Sequence, residues 1–555
     1  MVSVRQERYF YSRCVILVYM KLVSARQMRG IEQIAIEELG IPSILLMENA
    51  SIQTAKHCFR ILESQTGFKP AGFPPRGFYT DRPKILIICG TGNNGGDGMA
   101  VARHLHVKGV ETEVIYAGAI NSAKGDAAVN LAVIQKLGIP VIFINSPSDA
   151  ARLNGINTGK YDLVVDALLG TGIDRGVEGN YRTLIDAVNR YAKYVISVDV
   201  PSGVNSDTGQ IMGCAVRADE TVTLGFPKTG LYLFPAAEYT GIIHIEDIAI
   251  PRGLIDKLEV KTNVLTESEA LKLLPVRKRR SNKGDYGKAL VFAGSDDMPG
   301  AAALVCSAAY MTGCGLVRAC VTRNTAFVIH RWQREVVTRV LPDRNGMFCG
   351  ESLTGSSSED QESLSDDIKN AGVIAIGPGI GRGGGTREFV FEILRTAEVP
   401  VVLDADALFA VSGNLNLLRE IKAPCIITPH PGEMSRLTNL SKEEILNDTA
   451  GAALRFSSEY NVVTLLKDAR TIIANPQGEV YINTTGNNAL SKAGTGDALT
   501  GMIAGFIAQG LNVFEAGILG AYFHGRSCEA SCADKSNYSV TAADIIDNIA
   551  AVMKM

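Results

Sequence analysis

The chain has 555 residues, of which 46% are hydrophobic and 20% charged, a balance that excludes a mostly disordered protein and leaves ample material for full cores. At roughly 150 residues per domain this length predicts three or four domains, or two large ones. A net charge of −3 and a pI near 6.2 provide no basic surface for duplex nucleic acid, so no nucleic-acid partner is expected.

In chain order, the first feature is the apolar run Cys14–Met20. It follows basic residues and precedes Val23-Ser24-Ala25, a faint likeness to a secretory signal. Lys21 interrupts that run and a helical pattern follows at once, so residues 1–20 read as an extension without catalytic role. Nowhere does an apolar run reach the ~20 residues of a membrane span, and no membrane partner is expected. Short β-branched runs then recur at Ile85–Ile88, Val114–Tyr116, Val141–Ile144, Leu163–Val165, Val195–Val198 and Thr221–Leu224, most of them separated by helical stretches. That alternation predicts a parallel sheet with helices on both faces. Gly67–Pro83 reads as a loop. His104 and His106 form an H-x-H, but on a helix they point to different faces, which argues against a metal site.

From Pro251 to Lys283 the composition shifts and basic residues gather at Arg277-Lys278-Arg279-Arg280, the mark of a solvated linker, with a helix expected near Glu267–Leu274. Strand signals restart at Ala289–Ala293, Val373–Ile376, Val401–Leu403, Cys425–Thr428 and Val462–Leu466. Thr471–Ala474 and Val480–Ile482 predict a hairpin around Pro476-Gln477-Gly478. Ser352–Asp367, rich in Ser, Glu and Asp, reads as a mobile surface loop. The 11 cysteines are scattered without a CxxC pair, which fits a reducing compartment and a cytoplasmic location.

Two glycine-rich segments carry the chemistry. ICGTGNNGGDGMAVARHL follows a strand and opens a helix, with Gly90, Gly92 and Gly95 in G-x-G-x-x-G spacing. The acidic residue that an NAD fingerprint wants at the end of the next strand is missing, because Glu111 and Glu113 lie at its beginning. Asn93, Asn94 and Asp97 instead point to a cation or a polar substrate. Asp166 and Asp199 end two further strands, and such ends converge on one crevice. The plainer alternative for all three aspartates is helix N-capping.

The second segment, NNALSKAGTGDALTGMIAGFIAQG, shows helical spacing from Gly496 onward. Gly494-Thr495-Gly496 then sets free amides at a helix N-terminus, an anion hole. Asp497 in that place can take the proton of a hydroxyl attacking a phosphoryl group; its plainer role is a favourable dipole partner. The loops IAIGPGIGRGGG and IITPHPGEMSRL place Gly379 and His430 at the ends of other strands, and Lys467 ends one that can reach nucleotide phosphate. There is no GxxxxGK[ST], so this is not a Walker-type site.

NNGGDG, VDALLGTG, VDVPSG and GFPKTGL together resemble the YjeF N-terminal family, the NAD(P)H-hydrate epimerases, over about Lys21–Ile250. GDYGKALVFAGS, GPGIG, TPHPGE, LLKDART and NNALSKAGTGDALTG resemble the NAD(P)H-hydrate dehydratase branch of the ribokinase-like superfamily, over about Thr262–Met555. With both halves present, the chain is similar to the bifunctional NAD(P)H-hydrate repair enzymes. The resemblance implies an α/β fold: a Rossmann-like three-layer αβα domain at 21–255, a linker at 256–280 and a ribokinase-like α/β domain at 281–555. It implies epimerisation of the R and S forms of hydrated NADH and NADPH (NADHX and NADPHX). It also implies dehydration of the S form at the expense of ADP in bacteria, or ATP in eukaryotes. Potassium and magnesium come with it, and a homo-oligomer is expected.

By position, Asn94, Asp166 and Ser202 match the potassium ligands. Asn93, Asn94, Gly95, Gly96, Asp97, Gly170, Thr171, Gly172, Ile173, Asp174, Arg175, Gly176 and Asp199 match substrate contacts, with Asp199 a catalytic group. Ala302, Gly379, His430 and Asp497 match contacts to the hydrate being dehydrated. Lys467, Asp468, Ala469, Arg470 and Thr471 match ADP contacts, as do Asn487, Asn488, Ala489, Leu490, Ser491, Lys492, Ala493, Gly494, Thr495 and Gly496. Gln333-Arg334-Glu335-Val336 and Gly313-Cys314-Gly315 depart from the family's usual Pro-Glu-Val and Gly-Ala-Gly segments. A ribokinase-like small-molecule kinase with a ligand-sensing first domain is the alternative reading. A third is a nucleotide-binding regulator without catalysis, which the presence of Asp497 disfavours.

Overall fold

The first run of alternating strands and helices forms a seven-stranded sheet. Its order is Val141–Phe143, Glu111–Tyr116, Lys84–Cys89, Leu163–Ala167, Val195–Val198, Glu220–Leu224 and Ile242–Glu246. Every neighbouring pair is parallel, as expected. The central strands are buried on both faces, which is why they read as unbroken apolar runs rather than alternating ones. Helices Ala25–Glu37, Ser43–Thr66 and Asn93–Val107 cover one face and Gly179–Tyr191 the other. Strand order reverses between Lys84–Cys89 and Leu163–Ala167, so a crevice opens above the carboxyl ends of those two strands. This computed structural model describes residues 20–68, 82–145, 149, 160–354 and 358–554. Cys14–Met20 (apart from Met20) and most of Gly67–Pro83 lie outside them.

An eleven-stranded sheet forms the second unit, with Lys288–Phe292 between Val373–Ile376 and Leu316–Val321. Val401–Leu403, Cys425–Ile427 and Val463–Leu466 continue it in parallel. The expected hairpin is present, Ile472–Ala474 pairing antiparallel with Val480–Ile482. Helices Pro299–Met311 and Thr495–Ala508 share one core cluster above this sheet.

Sequence reading missed five strands. Ile242–Glu246 and Val337–Val340 are partly exposed edge strands without a continuous apolar run. Leu316–Val321 is interrupted by Arg318. Met20–Leu22 and Thr262–Val264 have three residues each and pair antiparallel. The last two have architectural weight, because Thr262–Val264 also pairs with Val480–Ile482. Residues from the start of the chain thus extend the sheet of the second unit. Within 256–280 lies also the Glu267–Leu273 helix, opened by a Thr266–Glu269 capping box. Arg277 in the basic run stacks on the Tyr286 ring at 3.7 Å and donates to the Gly313 carbonyl.

The expectation of a mobile loop over Ser352–Asp367 is corrected. Ser358–Lys369 is a helix, and buried Asp367 accepts hydrogen bonds from Lys288, Arg318 and Arg339. A polar composition read as disorder is here an exposed helix face tied down by one buried carboxylate. Among the described residues no helix is long and apolar enough to cross a membrane, and all ten cysteines are free thiols.

Candidate functional site

In the crevice of the first sheet, backbone crowding dictates glycine: a Cβ on Gly95 would stand 1.9 Å from the Gly90 carbonyl oxygen. This tight turn delivers the chain into the Asn93–Val107 helix, whose N-cap, Gly92, supplies no side-chain hydrogen bond. The first amides of that helix therefore face a cavity of about 1120 Å³. Asn93, Asn94, Gly95, Asp97, Gly170 through Gly176 and Asp199 all line it. Gly96 does not; a Cβ there would strike Met47, so this glycine serves helix packing. Asp166 and Ser202 sit behind the lining.

None of the three aspartates caps a helix. Asp97 lies a turn inside its helix, and Asp166 is within a strand. Asp199 follows a strand with φ of 66°, a left-handed conformation that a non-glycine residue holds at a cost of about 1–3 kcal/mol. Its Oδ1 accepts from the Leu224 amide at 3.1 Å, from Thr223 and from Lys228 Nζ. Lys228 is 1% exposed and also donates to the Leu224 carbonyl at 2.8 Å. Sequence reasoning quoted GFPKTGL without singling out this lysine, although a Lys between two turn-forming pairs was its signal. Glu32, from the first helix, lines the same cavity and was missed because a lone acidic residue on an amphipathic helix has no signature. Burial raises the Glu32 carboxyl above its usual range against the pull of Lys228. Burial and then the Asp199 charge raise the Asp97 carboxyl well above its usual range.

Behind the crevice, the Asp166 carboxylate is 1% exposed and takes hydrogen bonds from Ser197 Oγ at 2.8 Å, Ser202 Oγ at 2.5 Å, and the Ser202 and Leu168 amides at 2.9 and 3.3 Å. All these donors are neutral. Burial raises its pKa, and no basic side chain among the described residues pairs with it. Asn94 Nδ2 donates to the Leu169 carbonyl, bringing Asn94, Asp166 and Ser202 around one short stretch of backbone.

At the second site, the helix Thr495–Ala508 starts after Gly494 at φ 89°, again without a side-chain cap. Asp497 lies in its open first turn. Lys467 Nζ pairs with Asp404 Oδ1 at 2.8 Å, and Thr500 Oγ1 donates to Asp404 Oδ2 at 2.7 Å. Lys467 also lies against Gly496, 3.5 Å from where a Cβ would stand. Asp406 accepts from the Gly381 amide and from Arg382. Neither Asp404 nor Asp406 was singled out from VVLDADAL, which reads as an ordinary strand-to-helix junction. Burial, then the Asp404 charge, pushes the Asp497 carboxyl up to about 7 against the effect of Lys467.

His430 caps the Pro431–Thr438 helix, its Nδ1 accepting from the Gly432 and Glu433 amides at 3.0 and 3.2 Å. Gly379 packs on the start of the Pro299–Met311 helix, in which Ala302 is fully buried with no side-chain surface for a ligand. The Asn487–Gly496 segment winds through the Asn488–Leu490 turn, Asn487 accepting from the Ala489 amide. Lys492 is tied to the Tyr538 and Val540 carbonyls, each at 2.6 Å. Asp468 is raised by burial. Arg470 donates to the Thr484 carbonyl and lies over the Phe234 ring, a contact from the first unit.

Fold and sites together define a two-unit α/β protein with one candidate active site in each unit. One crevice joins carboxylates to a buried lysine, and the other site sets a carboxyl of raised pKa in the uncapped first turn of a helix. Family models agree on both units: the NAD(P)H-hydrate dehydratase family matches residues 289–551 and the YjeF-related protein N-terminus matches 43–230. The bifunctional NAD(P)H-hydrate repair enzyme of Moorella thermoacetica is 37% identical over 536 residues, 96% of this chain and 97% of that protein. Its counterpart in Escherichia coli K12 is 30% identical over 85% of this chain and 86% of its own length. The solved ADP/ATP-dependent NAD(P)H-hydrate dehydratase from Bacillus subtilis, co-crystallised with ATP and Mg2+, is 32% identical and covers 52% of this chain and 96% of its own, at a TM-score of 0.44. The chain belongs to the family of bifunctional NAD(P)H-hydrate repair enzymes.

Proposed function

We propose that the first crevice interconverts the R and S forms of NADHX and NADPHX and that the second site returns the S form to NADH or NADPH, consuming ADP and releasing AMP and phosphate. The observation that carries the second activity is Asp497, a carboxyl poised near neutral pH beside open helix amides and the Lys467–Asp404 pair. Ionised Asp497 takes the proton from the hydrate hydroxyl as its oxygen attacks the terminal phosphoryl group of ADP. AMP leaves while the amides of Thr495–Gly496 hold the developing charge. The phosphate ester at the former hydroxyl carbon then breaks; loss of phosphate and of a proton from the adjacent carbon restores the ring double bond.

For the first activity, Asp199, held by Lys228, serves as base, and the raised carboxyls of Asp97 and Glu32 serve as acids. The proton an acid gives to the departing hydroxyl is recovered from the water that returns on the opposite ring face. A single buried negative charge in a cage of neutral oxygen and amide groups fits potassium, and Asn94, Asp166 and Ser202 would hold it. Such an ion neutralises Asp166 and fixes the Leu168–Gly170 backbone that lines the crevice. Where magnesium accompanies the nucleotide, Asp406 fits it, since the Arg382 that pairs with it is 57% exposed and free to withdraw. In this reading the chain acts in the cytoplasm as a homo-oligomer; the free thiols among the described residues support the reducing location. Incubation with NADHX and ADP tests the reading: the reduced-nicotinamide absorbance band should return as AMP appears. A persistent phosphorylated product without that band would instead identify a kinase.

A further inference from the structure

Apart from the residues that line the crevice, three elements converge on the last two strands of the first sheet. His57 and Arg60 project from the Ser43–Thr66 helix, Glu220 begins the Glu220–Leu224 strand, and His244 and Glu246 lie on the edge strand Ile242–Glu246. One ligand atom from each of His57, Glu220 and His244 lies within 4.8 Å of the other two. Glu220 Oε2 is 2.9 Å from His244 Nε2 and 3.9 Å from His57 Nδ1. Ligand atoms around a tetrahedral zinc ion stand about 3.3 Å apart, given its ~2.0–2.2 Å bonds, so the observed separations bracket a bound geometry.

Two further observations point to a cation. The second ring nitrogen of His57, Nε2, lies 2.8 Å from Glu246 Oε1. Donation of its proton there leaves the lone pair on Nδ1, facing Glu220, the outer carboxylate arrangement that orients metal-bound histidines. His244 Nε2 is buried, and the Glu220 carboxylate 2.9 Å away is out of line for a good hydrogen bond, so the pair is held together without being well satisfied. Into this gap reaches Arg60, whose Nη2 bonds Glu220 Oε2 and lies 3.5 Å from His57 Nδ1. Its side chain is 52% exposed and can swing into solvent. Tyr194 donates to Glu220 Oε1 at 2.7 Å, the oxygen that Arg60 does not use.

We propose that His57, Glu220 and His244 form a structural site for a divalent transition metal of the zinc class, with water as fourth ligand and Arg60 as the cation that occupies the place when metal is absent. The ion clamps the Ser43–Thr66 helix to the open edge of the sheet. None of its three ligands lines the crevice, and it takes no part in epimerisation.

The test uses the full chain, stripped with a chelator, and Zn2+ alone in calorimetric titration, with Co2+ absorption as a geometric probe. One equivalent should bind, the melting temperature should rise, and the Co2+ spectrum should lack thiolate charge-transfer bands. His57→Gln and His244→Gln should abolish that equivalent. Glu246→Gln, which removes only the outer carboxylate, should weaken it roughly 10–100-fold. Arg60→Ala should tighten it, a gain that misfolding cannot imitate. Zinc binding unchanged in both histidine variants, thiolate bands in the cobalt spectrum, or weaker binding in Arg60→Ala would each overturn the proposal.

Discussion

Burial and the neighbouring Asp404 charge leave the Asp497 carboxyl half-ionised at about pH 7. A base must be ionised, so dehydration should fall about tenfold per pH unit on the acid side of that value, which kcat measured against pH would reveal. The linkage sign is opposite to that of a paired carboxylate. A raised folded-state pKa means the fold favours the protonated form, so the stability it contributes is present at low pH and lost as pH rises through 7. Asp497→Asn should therefore melt no lower than the parent at pH 8 while dehydrating at least about 10²-fold more slowly. If Asp497 only favoured the helix start, turnover in the Asn variant would stay near normal. In the first crevice, Asp199→Asn suits the same test, because Asn tolerates a positive φ. Epimerisation should drop by at least about 10²-fold with dehydration of the S form untouched, assayed on each epimer separately.

The elements explain why some features were legible in the sequence and others were not. Strands buried on both faces, such as Val195–Val198 and Val373–Ile376, announced themselves as short apolar runs, and the two glycine-rich turns announced the crevices. Residues that act through tertiary placement did not. Glu32, Asp404 and Asp406 become meaningful only when helices and strands distant in sequence meet. The Ser358–Lys369 helix was hidden by its own polar composition. Its anchor gives a clear expectation. Burial alone would raise the Asp367 carboxyl, but hydrogen bonds from Arg318 and Lys288 hold it below the usual range. Its contribution to stability is thus present at neutral pH and lost as pH falls below about 4. Asp367→Ala leaves three basic groups facing one another and should destabilise the second unit by about 3–5 kcal/mol at pH 7, read by denaturant titration; a loss below measurement error would show that the cluster is solvated.

Across the whole molecule, the two units are laced together by the start of the chain. Met20–Leu22 pairs with Thr262–Val264 in the second sheet, and the next residue, Val23, bonds the Pro227 carbonyl and the Thr229 amide on either side of Lys228. Leu22 is fully buried in the second unit's core although it precedes the first unit in sequence. Leu22→Ala should accordingly cost the second unit about 2–5 kcal/mol, seen in calorimetry as a lower transition for that unit. A fragment beginning at Val260 keeps every residue of the second site and should dehydrate the S form without epimerising the R form. It should melt below the full chain, since it loses Met20–Leu22. The account as a whole rests on both sites acting in sequence on one small molecule. The most direct measurement supplies pure R hydrate of NADH with ADP and follows the reduced-nicotinamide band together with the epimer ratio. The parent chain should restore the band fully, Asp497→Asn should build up the S form without restoring it, and Asp199→Asn should leave the R form largely unchanged. Full restoration by Asp497→Asn, or a stable phosphorylated hydrate from the parent chain, would contradict the account.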